Sequence, residues 1–570
     1  MIQYRCKNCG ITGKESTCSI CGERTKIQSI LYWCSGCNVP IYTQKCPVCG
    51  EEGRELTSDI RPVFPEERLL LELMRREPMR YAADSVWYGG NHYYINGKRL
   101  QWKRRQALEK NPDHLRSQLA YYQTANETYG HCFETYVDRF IEANKQRFAE
   151  MTQEAQEYIG QKAAGRDTGS MFISFSGGKD STVVADLVTN ALSDSKILHL
   201  YGDTTLEFPF TLAYVQRFRQ AHNGTPFLIA KNKEKNFLEL CRVIGPPSRV
   251  MRWCCTIFKT GALTRKIQVL FRNKEEVISF QGIRRQESTS RSKYERESSN
   301  SKIAKQKAVA PIIDWLDFDV WLYLLTKKLD FNDAYRYGYS RVGCWCCPNN
   351  TDWSEFLSAI YMPVQYQQFQ DFLVEFAALI GKPDPEQYVK DGKWKARQGG
   401  NGLEAAQKSV LQFENCVLEE DTVNFELTRP ITEELYELFR PFGYLDQVRG
   451  NARLGEVYVL DHKGNALLKL SGRIGSRTLK VSIQNLDLFA RGSRKSAEEK
   501  IRAQLTKYQM CMGCRACESV CKQGAITVKE LSDGSTSYQI NDQKCIRCKV
   551  CVGHFIAGCY MRKVLTIRRT

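Results

Sequence analysis

No stretch of this chain stays apolar for the ~18 residues that a membrane-spanning helix needs. The opening residues, MIQYRCKNCG, hold no apolar signal core. Both absences predict a cytoplasmic protein without a membrane partner. Histidine is scarce, 7 residues in 570, and His92, His114 and His131 stand without ligand spacing, so they read as surface or packing residues. Cysteine is the opposite case, with 24 residues. Without an export signal these are not disulfides in waiting. Most fall in tight C-x2-C-like groups, the pattern of metal or iron–sulfur ligation in a reducing compartment.

The formal charge of +18 suits nucleic acid, but it counts every thiol as neutral. Five thiolate-bound metal centres at about −2 each would leave roughly +8. Nucleic-acid binding is therefore compatible with the charge and not required by it.

Cysteines stand at 6, 9, 18 and 21, and every one recurs 28 positions later, at 34, 37, 46 and 49. The repeated unit is C-x2-C-x8-C-x2-C. Four soft thiolates at this spacing favour tetrahedral zinc, which predicts two zinc ribbons, Cys6, Cys9, Cys18, Cys21 and Cys34, Cys37, Cys46, Cys49. A glycine after the second cysteine of a pair lets the chain turn so that backbone N–H groups face sulfur.

Five regions follow from composition and pattern: tandem ribbons (1–56), a mainly helical linker domain (57–168), an α/β domain (169–400), a small α+β domain (401–495) and a cysteine-rich end (496–570). VWYGGNHYYINGKRL predicts a hairpin with an NG turn. The proline-free stretch 115–162 predicts helix. MFISF, KILHLY, PFLIA and VISFQG are strand runs, and STVVADLVTNAL is a helix, so 171–350 predicts a mainly parallel sheet with its site at the carboxyl strand ends. DGKWKARQGGNG (391–402) reads as a linker.

Within the α/β domain, FISFSGGKDST (172–182) is built for phosphate. Gly177 and Gly178 let the backbone approach an anion, and the following helix aims its N-terminus at the same place. Ser174 and Ser176 precede the turn; Lys179, Asp180, Ser181 and Thr182 follow it. This is not the G-x-x-x-x-G-K loop. It resembles the PP-loop of the ATP pyrophosphatase and phosphoadenosine phosphosulfate (PAPS) reductase superfamily. LHLYGDTTLEFP (198–209) resembles that family's D-T-x-x-E-F-P segment, FQGIRRQESTSR (280–291) its G-x-R-x-x-E-S-x-x-R segment, and VAPIIDWLDFDVWLYL (309–324) its W-x-x-x-D-V-W segment, the last expected to be structural. The resemblance implies an adenine nucleotide (PAPS, adenylyl sulfate or ATP) held by the loop residues with Asp203, Glu207, Arg284 and Arg291. It implies Lys179, Asp180, Arg284, Arg285 and Lys259 as catalytic residues, since guanidinium grips two oxygens at once.

RWCCTIFK (252–259) and GYSRVGCWCCP (338–348) add Cys254, Cys255, Cys344 and Cys347. A C-C pair with a distant C-x2-C resembles the four-iron site of assimilatory adenylyl-sulfate reductases; structural zinc is the alternative. Arg252 and Lys259 flank the pair. The E-C-G-x-H tail of thioredoxin-dependent relatives is absent, and Cys132, Cys241, Cys346 and Cys416 have no assignment.

The last module carries Cys511, Cys514, Cys517, Cys521 and then Cys545, Cys548, Cys551, Cys559, and resembles a bacterial two-cluster ferredoxin. In that family the fourth cysteine of each run serves the other cluster, which implies Cys511, Cys514, Cys517 and Cys559 around one [4Fe-4S] cluster and Cys545, Cys548, Cys551 and Cys521 around the other. The expected complement is three [4Fe-4S] clusters and two zinc ions. One functional reading is reduction of PAPS or adenylyl sulfate to sulfite, with an external electron donor. Another is an ATP pyrophosphatase with Mg, transferring sulfur to tRNA or DNA. A non-catalytic electron-transfer protein is the third. The oligomeric state is not legible.

Overall fold

The computed structural model describes residues 3–13, 17–28, 31–56, 58–102, 108–233, 235–249, 251–288, 291–299, 305–396, 412–416, 419–511, 513–531 and 536–553. Cys559 lies outside the described residues.

Each N-terminal repeat folds on a three-stranded antiparallel sheet, and in each the four thiol sulfurs lie within 4.8 Å of one another. The residue after each C-x2-C pair is left-handed: Gly10 (φ 69°), Gly22 (69°), Asn38 (57°) and Gly50 (77°). That turn brings the Cys9 N–H to 3.4 Å from the Cys6 sulfur and the Cys37 N–H to 3.3 Å from Cys34. The two copies differ in their surroundings. Trp33, Cys34, Val39 and Ile41 of the second belong to the same hydrophobic core as Met171, Ile173 and Phe175. The first sits at the edge, where Arg24 donates to the Lys293 carbonyl at 2.7 Å.

The predicted hairpin is a meander: Val86–Gly89 pairs with His92–Ile95, which pairs with Lys98–Arg99. The NG dipeptide makes its second turn, and the first is made by Gly90 and Asn91, both at positive φ. The stretch predicted helical is three helices, Pro112–Thr128, Gly130–Ala143 and Lys145–Ala163.

The central sheet contains β1 (Met171–Phe175), β2 (Leu198–Asp203), β3 (Phe227–Lys231), β4 (Val277–Gln281), β5 (Glu297–Ser298) and β6 (Gln306–Val309). Their order is β3-β2-β1-β4-β6-β5, parallel except for the β5 edge. The near-continuous apolar run of β1 matches a strand covered on both faces. Helix α1 (Lys179–Leu192) follows β1 directly and buries Val183, Val184, Leu187 and Val188, each worth about 1.5–3 kcal/mol of apolar burial. Helix α2 (Asp317–Thr326) packs beside it. Its first turn is fixed by Asp319, which accepts from the Leu316 N–H and pairs bidentately with Arg147 at 2.8 and 2.9 Å.

The stretch read as a linker begins anchored: Trp394 is buried against Phe369, and Lys395 pairs with Glu355 at 2.8 Å. Its residues 397–402 lie outside the described ones. Beyond it, a six-stranded antiparallel sheet spans Gln412–Asn415 to Thr478–Ile483. The C-terminal module adds helix α3 (Ala516–Val520) and the hairpin Ile526–Glu530/Thr536–Ile540. No described helix is long and apolar enough to cross a membrane.

Candidate functional site

The strand order reverses between β1 and β4, and the crevice beyond their carboxyl ends is where open α/β sheets take ligands. The loop 176–178 fills that position. Asn332 holds it by donating to the Gly177 carbonyl at 3.0 Å. Within it the Ser176 N–H donates to the Ser181 hydroxyl, 3.1 Å, which donates to the Gly178 carbonyl, 2.8 Å. The Lys179 N–H donates to the Tyr335 hydroxyl at 3.2 Å, and the Thr182 and Tyr214 hydroxyls lie 2.7 Å apart. Gly282 crosses this helix start so closely that a Cβ there would lie 2.5 Å from the Asp180 carbonyl carbon. Ser174 stays within β1, paired with Leu200 and Gln281.

Beneath the loop is a buried charge network that no sequence motif reveals. Lys179 reaches Asp317 at 3.2 Å and Asp180 at 3.4 Å. Arg284 pairs with Asp180 and, at 2.7 Å, with Asp317. Burial opposes every one of these charges. The opposite charges win, holding Asp180 and Asp317 below and Lys179 and Arg284 above their ordinary pKa values. Asp59, from the segment after the second ribbon, accepts from the Asp317 and Phe318 N–H groups at 2.7 and 3.1 Å. Burial and the Asp317 charge push its carboxyl up to about 7.

The expected anion-gripping arginines are therefore already engaged. Arg285 donates to the Tyr294 carbonyl at 3.0 Å and pairs with Asp314; Arg291 pairs with Glu287. Arg291 also feels the positive charge of Arg341, and its pKa is lowered by burial and by that neighbour. Arg341 is exposed, sits between this loop and the second cysteine pair, and carries no motif signal of its own in the sequence.

Along the same strand edge, Asp203 pairs with Lys231 at 3.0 Å. Glu207 is half-buried, and its desolvation raises its pKa against the pull of Lys259. The Thr204 hydroxyl donates to Glu207 at 2.8 Å and lies 3.5 Å from the Cys344 sulfur. A backbone clip fixes that contact: Trp345 N–H donates to the Leu206 carbonyl at 2.9 Å and Phe208 N–H to Gly343 at 3.2 Å. The C-C pair comes from the other side: Cys255 opens a six-residue π turn, Cys255–Thr260, and Cys254 immediately precedes it. Such turns are uncommon and concentrate at functional sites. Trp253, fully buried, anchors it through its indole N–H to the Gly245 carbonyl, 3.1 Å.

The four cysteines converge. Cys254 hydrogen-bonds Cys255 and feels Cys344; Cys347 feels Cys255 and Arg252. The Cys255 contact and burial raise the Cys254 thiol, while burial and Glu207 raise Cys344, so a metal binding here displaces protons. The donor set is all thiol, which suits a four-iron cluster or zinc. Cys346 is buried beside Cys344 and Cys241.

In the C-terminal module, Cys521, Cys545, Cys548 and Cys551 line one cavity of about 230 Å³, the set expected around one cluster. Cys511, Cys514 and Cys517 do not line it.

A nucleotide-type crevice on a 3-2-1-4 sheet, with thiols at its rim, has the architecture of a PP-loop protein. The phosphoadenosine phosphosulfate reductase domain matches residues 170–350, and a 4Fe-4S dicluster domain matches 510–554. An adenosine 5'-phosphosulfate reductase of Anoxybacillus flavithermus is 32% identical over 177 residues, 30% of this chain and 69% of that protein. The chain belongs to the phosphoadenosine phosphosulfate reductase family. An uncharacterized protein of Methanocaldococcus jannaschii is 33% identical over 225 residues, 40% of this chain and 45% of that protein; the chain spans about half the length of that relative. A solved phosphoadenylyl-sulfate reductase from Candida auris aligns over 35% of this chain and 95% of its own, at 14% identity and a TM-score of 0.27.

Proposed function

We propose that the chain is an iron–sulfur sulfonucleotide reductase that converts adenylyl sulfate or PAPS to sulfite. The observation that carries this reading is the convergence of Cys254, Cys255, Cys344 and Cys347 on the rim of the nucleotide crevice, beside Glu207 and Lys259. Iron–sulfur clusters, when bound at these thiols and in the C-terminal module, supply single electrons. The loop 176–178 and the start of α1 receive the nucleotide phosphate. Lys179 and Arg284, locked by Asp180 and Asp317, keep their charge in a buried setting and present it without reorganisation. Lys259, Arg252 and Arg341 stand where the sulfate would meet the thiol rim. The sulfur–oxygen bond breaks, the bridging oxygen leaves with the nucleotide phosphate, and two electrons and one proton turn the sulfuryl group into hydrogen sulfite.

A second reading has its own support. The loop is complete from Ser176 to Ser181, and Asp180 and Asp317 place two carboxylates beneath it. That arrangement suits Mg–ATP, with pyrophosphate leaving and sulfur passing to a nucleic acid.

One experiment separates them. Anaerobically purified protein with a strong reductant is given ATP, adenylyl sulfate and PAPS in turn. Sulfite from a sulfated nucleotide is the expected result. Pyrophosphate from ATP, stimulated by RNA or DNA and without sulfite, would sink the reductase reading.

A further inference from the structure

The hydrophobic clusters that meet the C-terminal module divide its cysteines. Cys514, with Ala516, packs in the cluster that contains Cys254, Cys344 and Cys346. Cys521, Cys545 and Cys551 pack instead in the cluster built on the small antiparallel sheet, with Val459 and Leu468, and Cys511 joins them there. Cys517 and Val520 touch both. One end of the module thus faces the thiol rim of the crevice, and the other faces away.

The contact at the near end is close. Helix α3 lies on the π turn and on the start of the helix Gly261–Leu270 that continues it. A Cβ at Gly261 would lie 2.1 Å from the Ser519 hydroxyl oxygen and 2.7 Å from the Thr256 carbonyl oxygen. Only glycine allows α3, which follows Cys514 and carries Cys517, to sit this low on the turn that carries Cys255 and Lys259. A second contact lies further along, where a Cβ at Gly524 would be 3.6 Å from the Gln268 amide nitrogen. At the far end Cys548 is exposed, and Ile546 beside it is 64% exposed.

We propose that the Gly261–Ser519 seam docks the module in one fixed pose and thereby sets the order of electron flow. The site of Cys521, Cys545, Cys548 and Cys551 is the outer port. The site of Cys511, Cys514 and Cys517 is the middle station. The site of Cys254, Cys255, Cys344 and Cys347 is the terminus. This rests on the terminus holding a cluster, as the reductase reading requires. The thiols of these sites would hold [4Fe-4S] clusters that, when bound, would pass one electron at a time, the module's reduced centre going from 1+ to 2+ as the terminal centre goes from 2+ to 1+. A low-potential one-electron carrier outside the chain supplies that electron at the port.

The test reads the clusters and needs no nucleotide. Anaerobic native protein is mixed with reduced methyl viologen and freeze-quenched for electron paramagnetic resonance. Signals are assigned by their loss in Cys548→Ser and in Cys344→Ser. The Cys548-dependent signal is expected first and the Cys344-dependent signal last; the reverse order overturns the proposal. In Ser519→Trp, with iron content unchanged, the Cys344-dependent signal is expected to rise at least about tenfold more slowly, because a positioned reaction is sensitive to ångström-scale displacement. Ser519→Ala, which adds no bulk, should match the native rate. An unaltered rate in Ser519→Trp overturns the proposal, as does the absence of any Cys344-dependent signal. Failure to form sulfite would count against the reductase reading alone, because these signals are read before any nucleotide is added.

Discussion

The ammonium of Lys179 stands 3.2 Å from the carboxylate of Asp317, so the lysine of the glycine loop is fixed by the first turn of a different helix. Its charge is set in place by the fold. Lys179→Met should weaken nucleotide binding about 10- to 100-fold, the worth of one charge-assisted hydrogen bond of about 1.5–3 kcal/mol. Calorimetric titration with the nucleotide that the protein turns over measures this; unchanged affinity would remove Lys179 from the site.

Asp59 gives the fold a pH signature. Its pKa is raised in the folded chain to about 7 by burial and by Asp317, above the ordinary value of about 4. The folded state therefore holds the proton more tightly. The associated stability is complete below about pH 4 and is lost as pH rises through about 7. In Asp59→Asn that loss disappears, so the stability difference should move in favour of the variant between pH 4 and pH 8. Urea titrations at several pH values read it; a difference independent of pH would contradict the assignment.

Metal counts test the thiol sites separately. The native chain should carry about two zinc and about twelve iron, at four irons per cluster. Cys254→Ser should bring iron down to about eight with zinc unchanged. A native content near eight iron and three zinc would make the crevice site a zinc site.

The region before the central sheet hangs on a buried pair. Arg61 grips Glu67 at 2.7 and 2.8 Å, and the Tyr93 hydroxyl donates to Glu67 at 3.0 Å. Glu67→Ala leaves Arg61 buried and uncompensated, at a cost of about 3–5 kcal/mol. The pair Arg61→Met with Glu67→Leu should be much milder. Equal losses in the two proteins, measured by denaturation, would show that the charges themselves contribute little.

Ligand spacing is local in the chain, so the ribbon thiols are legible in the order of residues: within each ribbon the first and last cysteines stand fifteen positions apart. The glycine loop is legible for the same reason, since one strand, one turn and one helix start hold it. The network beneath it is not. Lys179, Arg284, Asp317 and Asp59 come from four separated segments, and no periodicity links them. Asp317 stands inside a segment expected to be structural, and that expectation fits its neighbour Asp319, clamped by Arg147. In the linear sequence Arg284, Arg285 and Arg291 look open to substrate. Their pairing with Asp180, Asp314 and Glu287 depends on how loops fold back, which a linear pattern does not carry.

The second ribbon shares its core with the parallel sheet, through Trp33, Val39 and Ile41 against the strands and helices around Phe175. Its thiols precede in the chain the strands they support, so they are made before the sheet is. On the reductase reading, with zinc in the ribbon, maturation of the iron centres would be conditional on another metal. In a cell starved of zinc, newly made chains would present an unsupported sheet to proteases, and iron-dependent activity would fall with iron still plentiful.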